Sequence, residues 1–162
     1  MLPRNTPDLP LLFGELVRLE IELWDAVDAR LKADCDLTLG RYLPMQVIAR
    51  RPGCRVQDIA ADLAITVGGT SKVVDRVAAA GHCVRRPNPD DKRSSLIELS
   101  PVGEKVLAAA AGVVEDELRR RLGSALPRGG LQDFTETLTR LRAAVREPVA
   151  RFDHGAVAQA LD

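Results

Sequence analysis

The stretch from Arg55 to Leu99, RVQDIAADLAITVGGTSKVVDRVAAAGHCVRRPNPDDKRSSLIEL, constrains the fold more than any other part of the chain. Val56, Ile59, Ala60 and Leu63 lay one apolar stripe along a helix and leave Asp58 and Asp62 on its wet side. After a short break at Ala64 and Ile65, Thr66 is a natural N-cap, because its hydroxyl can accept from backbone donors left free in a first helical turn. A second helix therefore starts there, with Val73, Val74 and Val77 as its apolar positions and Gly81 as the residue that ends it. Cys83 and Val84 open an extended run, and Ser95 to Leu99 return with the alternation of a strand. The run between them, Arg85 to Arg93, holds two prolines and an Asn that mark a loop, and its charges place that loop at the surface.

Helix, tight turn, helix and charged hairpin together make a winged helix-turn-helix. Thr70, Ser71, Lys72 and Arg76 supply donors to the outer side of the second helix, as a helix entering a major groove requires. A hairpin tip carrying Arg93 can reach a minor groove or a phosphate. Gly68 and Gly69 each cost the helix roughly 1 kcal/mol against alanine. Close approach of a partner and a frayed first turn both account for that cost.

The flanking segments read as helices. From Leu9 to Asp34, Leu12, Leu16, Leu19, Leu23, Val27 and Leu31 form one side of a long amphipathic helix, with Phe13, Val17 and Trp24 around it. Residues 1–8 read as a loose arm. Leu39 to Arg50 makes a helix with Tyr42, Leu43, Met45, Val47 and Ile48 apolar, in which Pro44 is tolerable only near the beginning. Arg51 and Arg55 flank the way into the helix-turn-helix, where phosphate contacts are useful. Ser100 caps a helix that starts at Pro101 and continues through Val102, Val106, Leu107, Val113, Val114, Leu118 and Leu122, until Gly123 and Pro127 break it. A last helix spans about Leu131 to Arg146 through Phe134, Leu138, Leu141 and Val145, and Arg151 to Asp162 reads as a short further helix or a tail.

The chain is thus mostly α with a small β wing, and its length suits one domain. Residues 38–100 form the winged lobe, and 9–34 and 101–147 the helices left over. Those outer helices are too apolar for one small lobe, so two chains crossing them in a homodimer would bury the excess. A twofold dimer presents two recognition helices about one DNA turn, roughly 34–36 Å, apart, which predicts a palindromic operator.

Lys and Arg number 23 and so do Asp and Glu, yet between Arg41 and Ser100 ten cations face six anions. A positive segment in a negative remainder is the asymmetry expected when one face meets phosphates. No apolar run approaches a membrane span and no signal-peptide pattern opens the chain, so a cytoplasmic protein is expected. Cys35, Cys54 and Cys83 are odd in number and form no CxxC, which argues against a disulfide framework; with His82 and His154 they match no metal spacing. A phosphate-cradling glycine loop, a zinc-protease helix motif and GxSxG are all missing, so the chain is not expected to be an enzyme or to carry a cofactor.

The run VVDRVAAAG followed by RRPNPDDKRSSLIELSPVGEKVL resembles the recognition helix and wing of the MarR family of bacterial transcription regulators. The matching pieces are Val74-Asp75-Arg76, Gly81, Asp91-Lys92-Arg93 and Ser100-Pro101-Val102-Gly103. Polar Thr70, where an aliphatic residue is usual, and the paired glycines depart from the pattern. The resemblance implies a dimeric, ligand-responsive regulator, more often a repressor, bound to a double-stranded DNA operator. Arg55, Thr66, Thr70, Ser71, Lys72 and Arg76 would then meet DNA from the helices. From the wing, Arg93 would insert into the minor groove, held by Asp91 through a charge-assisted pair, with Lys92 and Arg86 on phosphates. Trp24 and Tyr42 are the candidates for the wall of a pocket for a small, aromatic or purine, effector. Two alternatives remain: a thiol-based redox sensor using one of the cysteines, and a winged-helix adaptor that binds protein without DNA.

Overall fold

The computed structural model describes residues 8–123, 125–127 and 129–146. The N-terminal arm before Asp8 and the reading of Arg151 to Asp162 lie outside them. The helices are α1 (Leu9–Cys35), α2 (Leu39–Arg50), α3 (Val56–Leu63), α4 (Val67–Ala79), α5 (Pro101–Leu122) and α6 (Gly130–Arg146), with strands β1 (Cys83–Pro87) and β2 (Ser95–Leu99) between α4 and α5. The chain divides into two compact units, one through Arg120 and one from Arg121 that contains α6.

The first unit is packed around α2. Tyr42, Met45, Val47 and Ile48 are buried there against Leu31 and Leu37 from α1 and its exit, Ile59 of α3, Val74 and Val77 of α4, and Ile97 of β2. The α1–α2 corner is set by Asp28, whose carboxylate accepts the Leu39 N–H at 2.7 Å and pairs with Lys32 at 2.5 Å. The Lys32 ammonium foremost, with the Leu39 N–H, holds that carboxyl below its ordinary range against the opposing effect of burial. Pro44 corrects the expectation that proline stays near a helix start: it sits more than a turn inside α2 and is fully buried. Its ring contributes apolar volume to the core, while the helix forgoes one backbone bond.

The termini of α4 follow their sequence signals. Thr66 Oγ1 accepts from Gly69 N–H at 3.2 Å. At the other end Gly81 has φ +76°, its N–H donates to the Ala78 carbonyl at 2.8 Å and the His82 N–H to that of Val77 at 3.1 Å. This is the paired closure that a left-handed residue makes possible. The wing follows at once. β1 and β2 are antiparallel, with Cys83 opposite Leu99 and Arg85 opposite Ile97, and Cys54 bridges the far side of Ile97.

α5 is docked onto the α4–β1 turn. Ser100 donates its hydroxyl to the Gly81 carbonyl at 2.5 Å, accepts from Gly103 N–H at 3.0 Å, and gives its own N–H to the His82 carbonyl at 3.0 Å. Gly103 is buried so closely that a side chain there would meet the His82 backbone. Val102, expected on the apolar stripe of α5, is instead 57% exposed; the first turn buries Gly103 in its place.

Only Val27 and Leu31 of α1 are buried. Leu9, Leu11, Leu12, Phe13, Leu16, Val17, Leu19, Ile21 and Trp24 are exposed. In the second unit, considered by itself, Leu131, Leu138, Leu141 and Val145 of α6 are exposed as well. Among the described residues no helix is long and apolar enough to cross a membrane.

Candidate nucleic-acid interface

The N-termini of α3 and α4 and the inner side of the wing enclose an open cleft of about 280 Å³, lined by Arg55, Val56, Gln57, Val67, Ser71, Arg85, Arg93, Ser94 and Ser95. Three residues expected from the sequence, Arg55, Ser71 and Arg93, are brought together there.

Arg55 is fixed by Asp58. The carboxylate accepts the Arg55 backbone N–H at 2.8 Å and its Nε at 3.2 Å. The backbone bond first, and the guanidinium second, hold the Asp58 carboxyl below its ordinary value. Asp58 is therefore the N-terminal clamp of α3, half-buried at the edge of the wet side on which its spacing puts it. With its amide oxygen turned toward the guanidinium, Gln57 accepts from Arg55 Nη1 at 2.8 Å.

On α4 the outward rows are Gly68, Lys72 and Arg76, all exposed, and beside them exposed Val67 and Asp75 with half-buried Ser71 between them. Thr70 corrects the sequence reading. It is fully buried, and its hydroxyl donates to the Thr66 carbonyl at 2.9 Å. It occupies the inward row with Val74 and Val77, and back-bonding within the helix satisfies a polar group that would otherwise be costly there. Thr66 stays exposed, with its oxygen engaged in the cap.

The wing is tied to α4 by a pair the sequence reading missed: Arg85 Nη2 donates to Asp75 Oδ1 at 2.7 Å. Strand alternation was the available signal, since Arg85 shares a face with buried Cys83 and so turns toward α4. Arg86 falls on the opposite face, where Nε meets Glu98 Oε2 at 2.5 Å, and it is absent from the cleft lining. Asn88 was also missed; nearly buried, it donates to Ser94 Oγ at 2.8 Å and accepts the Asp90 N–H at 3.0 Å. Ser94 in turn donates to the Asp91 carbonyl at 3.1 Å, so the wing tip is stitched internally.

Asp91 holds the Arg93 backbone N–H at 3.0 Å, while the guanidinium lies 3.8 Å from the carboxylate with its side chain 97% exposed. The expected pair thus orders the turn more than it restrains the cation. Lys72, Arg76 and Lys92 are exposed and have no carboxylate within ion-pair distance among the described residues. Such cations are the kind that exchange their ion atmosphere for phosphates.

Trp24, 40% exposed on α1, and Tyr42 do not line this cleft. Tyr42 belongs to the core, its hydroxyl accepts from Gln46 at 3.3 Å, and burial pushes its pKa up. Burial also pushes up the thiols of Cys54 and Cys83, the reverse of what a thiolate sensor needs. Cys35 is half-buried.

The comparisons with known proteins agree with this geometry. Residues 37–95, from the turn between α1 and α2 through the first residue of β2, match the model of the MarR family. The transcriptional regulator HosA of Escherichia coli O111:H- is 32% identical over 90 residues, which cover 54% of this chain and 67% of that protein. The chain belongs to the MarR family. Its fold is that of MarR regulators of known structure: Sco3205 of Streptomyces coelicolor, solved in complex with DNA, has a TM-score of 0.77 at 24% identity over 89% of this chain and 94% of that one. The repressor CouR bound to a 23-mer DNA duplex has a TM-score of 0.75 at 24% identity over 88% of this chain and 99% of that one. CouR of Rhodococcus jostii RHA1 bound to p-coumaroyl-CoA has 0.71 at 21% identity over 83% and 91%.

Proposed function

We propose that this MarR-family chain is a cytoplasmic transcription regulator without enzymatic activity, which binds a palindromic duplex operator as a homodimer and represses until a small effector releases it. The observation that carries the reading is the cleft between α3, α4 and the wing. It is lined by Arg55, Arg85 and Arg93 and bordered by the exposed cations of α4. Residues 38–100 form the DNA-binding lobe, with Ser71 and Lys72 at base edges or phosphates. Arg55, Thr66, Arg76 and Lys92 meet the sugar-phosphate backbone, and Arg93 enters the minor groove. Arg86 buttresses the outer face of the wing through Glu98, and Asp91 keeps the tip in shape.

Segments 9–34 and 101–147 serve dimerisation. The exposed Leu12, Phe13, Leu16 and Val17 of α1 support this, because an apolar face of that extent is what subunit contacts cover. An aromatic effector is supported by exposed Trp24 on the same helix.

Selection of duplexes from a random pool by the purified chain, followed by mobility shifts, tests the reading. Arg93→Ala is expected to weaken the selected complex strongly and to leave the fold intact. Failure to select any duplex would refute it. Thermal-shift screening against aromatic acids and purines identifies the effector class, since a ligand of the folded dimer raises its melting temperature.

A further inference from the structure

Two adjacent glycines lie in the first turn of α4, and the structure separates their roles. A methyl added at Gly69 would stand 3.0 Å from Thr66 Oγ1, the atom that caps the helix, so a side chain there would crowd the cap by a few tenths of an ångström. A methyl added at Gly68 would meet nothing within 4 Å. Alanine is the better helix former, by up to about 1 kcal/mol in a helix interior, and at Gly68 no contact inside the chain requires the bare backbone. Val67 next to it is 55% exposed and lines the cleft with Ser71, Arg85 and Arg93, while Ile65 in the preceding turn is 46% exposed. An apolar edge is thus turned outward at the end of α4 that shares the cleft with Arg85 and Arg93 of the wing.

Resting on the DNA-binding reading above, we propose that this first turn recognises the thymine 5-methyl group. Gly68 lets the base edge lie against the helix backbone, and Val67 packs on the methyl. In the major groove the thymine methyl is the apolar mark that separates T·A from the other pairs, and an aliphatic side chain reads it by contact. Val67 and Gly68 offer no side-chain donor to a guanine; the first hydrogen-bonding side chain outward along that row is Ser71. Each half-site therefore carries a T·A pair facing Val67, distinguished by packing.

The test uses the full chain and its selected duplexes, with thymines replaced one at a time by deoxyuridine, which removes the methyl alone. One position per half-site is expected to weaken binding about fivefold, the order for burying one methyl, and Val67→Ala should bind both duplexes alike. Gly68→Ala should melt no lower than the parent, since alanine is the better helix former and its methyl meets nothing in the chain, yet bind the selected duplex at least about tenfold more weakly because its methyl occupies the contact. Methyl-independent binding at every thymine, or full affinity in Gly68→Ala, overturns this proposal and leaves the regulator reading standing. A chain that selects no duplex overturns both.

Discussion

Gly103→Ala should be among the most damaging single-methyl changes in this protein. An added Cβ would lie 1.9 Å from the His82 carbonyl oxygen, 2.7 Å from its carbon and 3.0 Å from its Cα. Ordinary carbon–oxygen contacts stand at roughly 3.3–3.6 Å, and the obstacle is backbone, so α5 must retreat from the α4–β1 turn. The retreat would pull apart the bonds of Ser100 to the carbonyls of Gly81 and His82, now 2.5 and 3.0 Å long. Overpacking of this kind costs ~1–3 kcal/mol and each lost hydrogen bond about 1, offset by the ~1 kcal/mol that alanine gains over glycine in a helix. A net loss of about 3 kcal/mol lowers the melting temperature of a chain this size by ~6–12 °C. Gly112 on the same helix has nothing within 4 Å of the corresponding methyl, so Gly112→Ala should be neutral or slightly stabilising. Circular-dichroism melts of both variants decide the matter. Equal melting of Gly103→Ala and the parent would mean that α5 is not docked on His82 as described.

Three further outcomes are expected. Arg93→Ala leaves the urea midpoint nearly unchanged, because its guanidinium is 97% exposed and 3.8 Å from its nearest carboxylate, and it reduces the salt slope of DNA binding by ~1.8 for a dimer, at about 0.9 per cation removed. Asp58 has a folded pKa below its ordinary 3.8, owing to the Arg55 N–H and then its guanidinium; its stabilisation is complete above the unfolded value and is lost as pH falls through the lower folded one, so Asp58→Asn should flatten the acid limb of a urea-midpoint profile. Phe13, 69% exposed on α1, should be covered in a homodimer; Phe13→Glu is expected to sediment as a monomer and to lose operator affinity, whereas an unchanged dimer would place the interface elsewhere.

Element positions were legible where local chemistry decides them. The Thr66 cap, the Gly81 closure and the Ser100-Pro101 start each follow from one residue's preference, and α2 spans the residues that its apolar pattern marks out. Facing was harder to read for polar residues. Thr70 sits at a core position that periodicity assigns to an apolar side chain, and only its bond to Thr66 makes that tolerable. Asp58 is on the wet side as its spacing requires, but its capture of the Arg55 N–H is a capping role that a surface carboxylate does not announce. Asp75 with Arg85, and Asn88 with Ser94, join residues ten and six positions apart across a turn. Partners of that kind depend on tertiary geometry, which spacing along one element does not encode.

The most direct test of the account is the salt dependence of binding to a selected duplex, read by fluorescence anisotropy together with the sedimented stoichiometry. Lys72, Arg76, Lys92 and Arg93 are exposed on each chain, while Arg55 is already neutralised by Asp58 and releases little of its ion atmosphere, so two chains bring eight uncompensated cations to the duplex and log K should fall with log salt at a slope of roughly −7. Two chains per duplex with that slope is the predicted result. One chain per duplex, or affinity indifferent to salt, would contradict it.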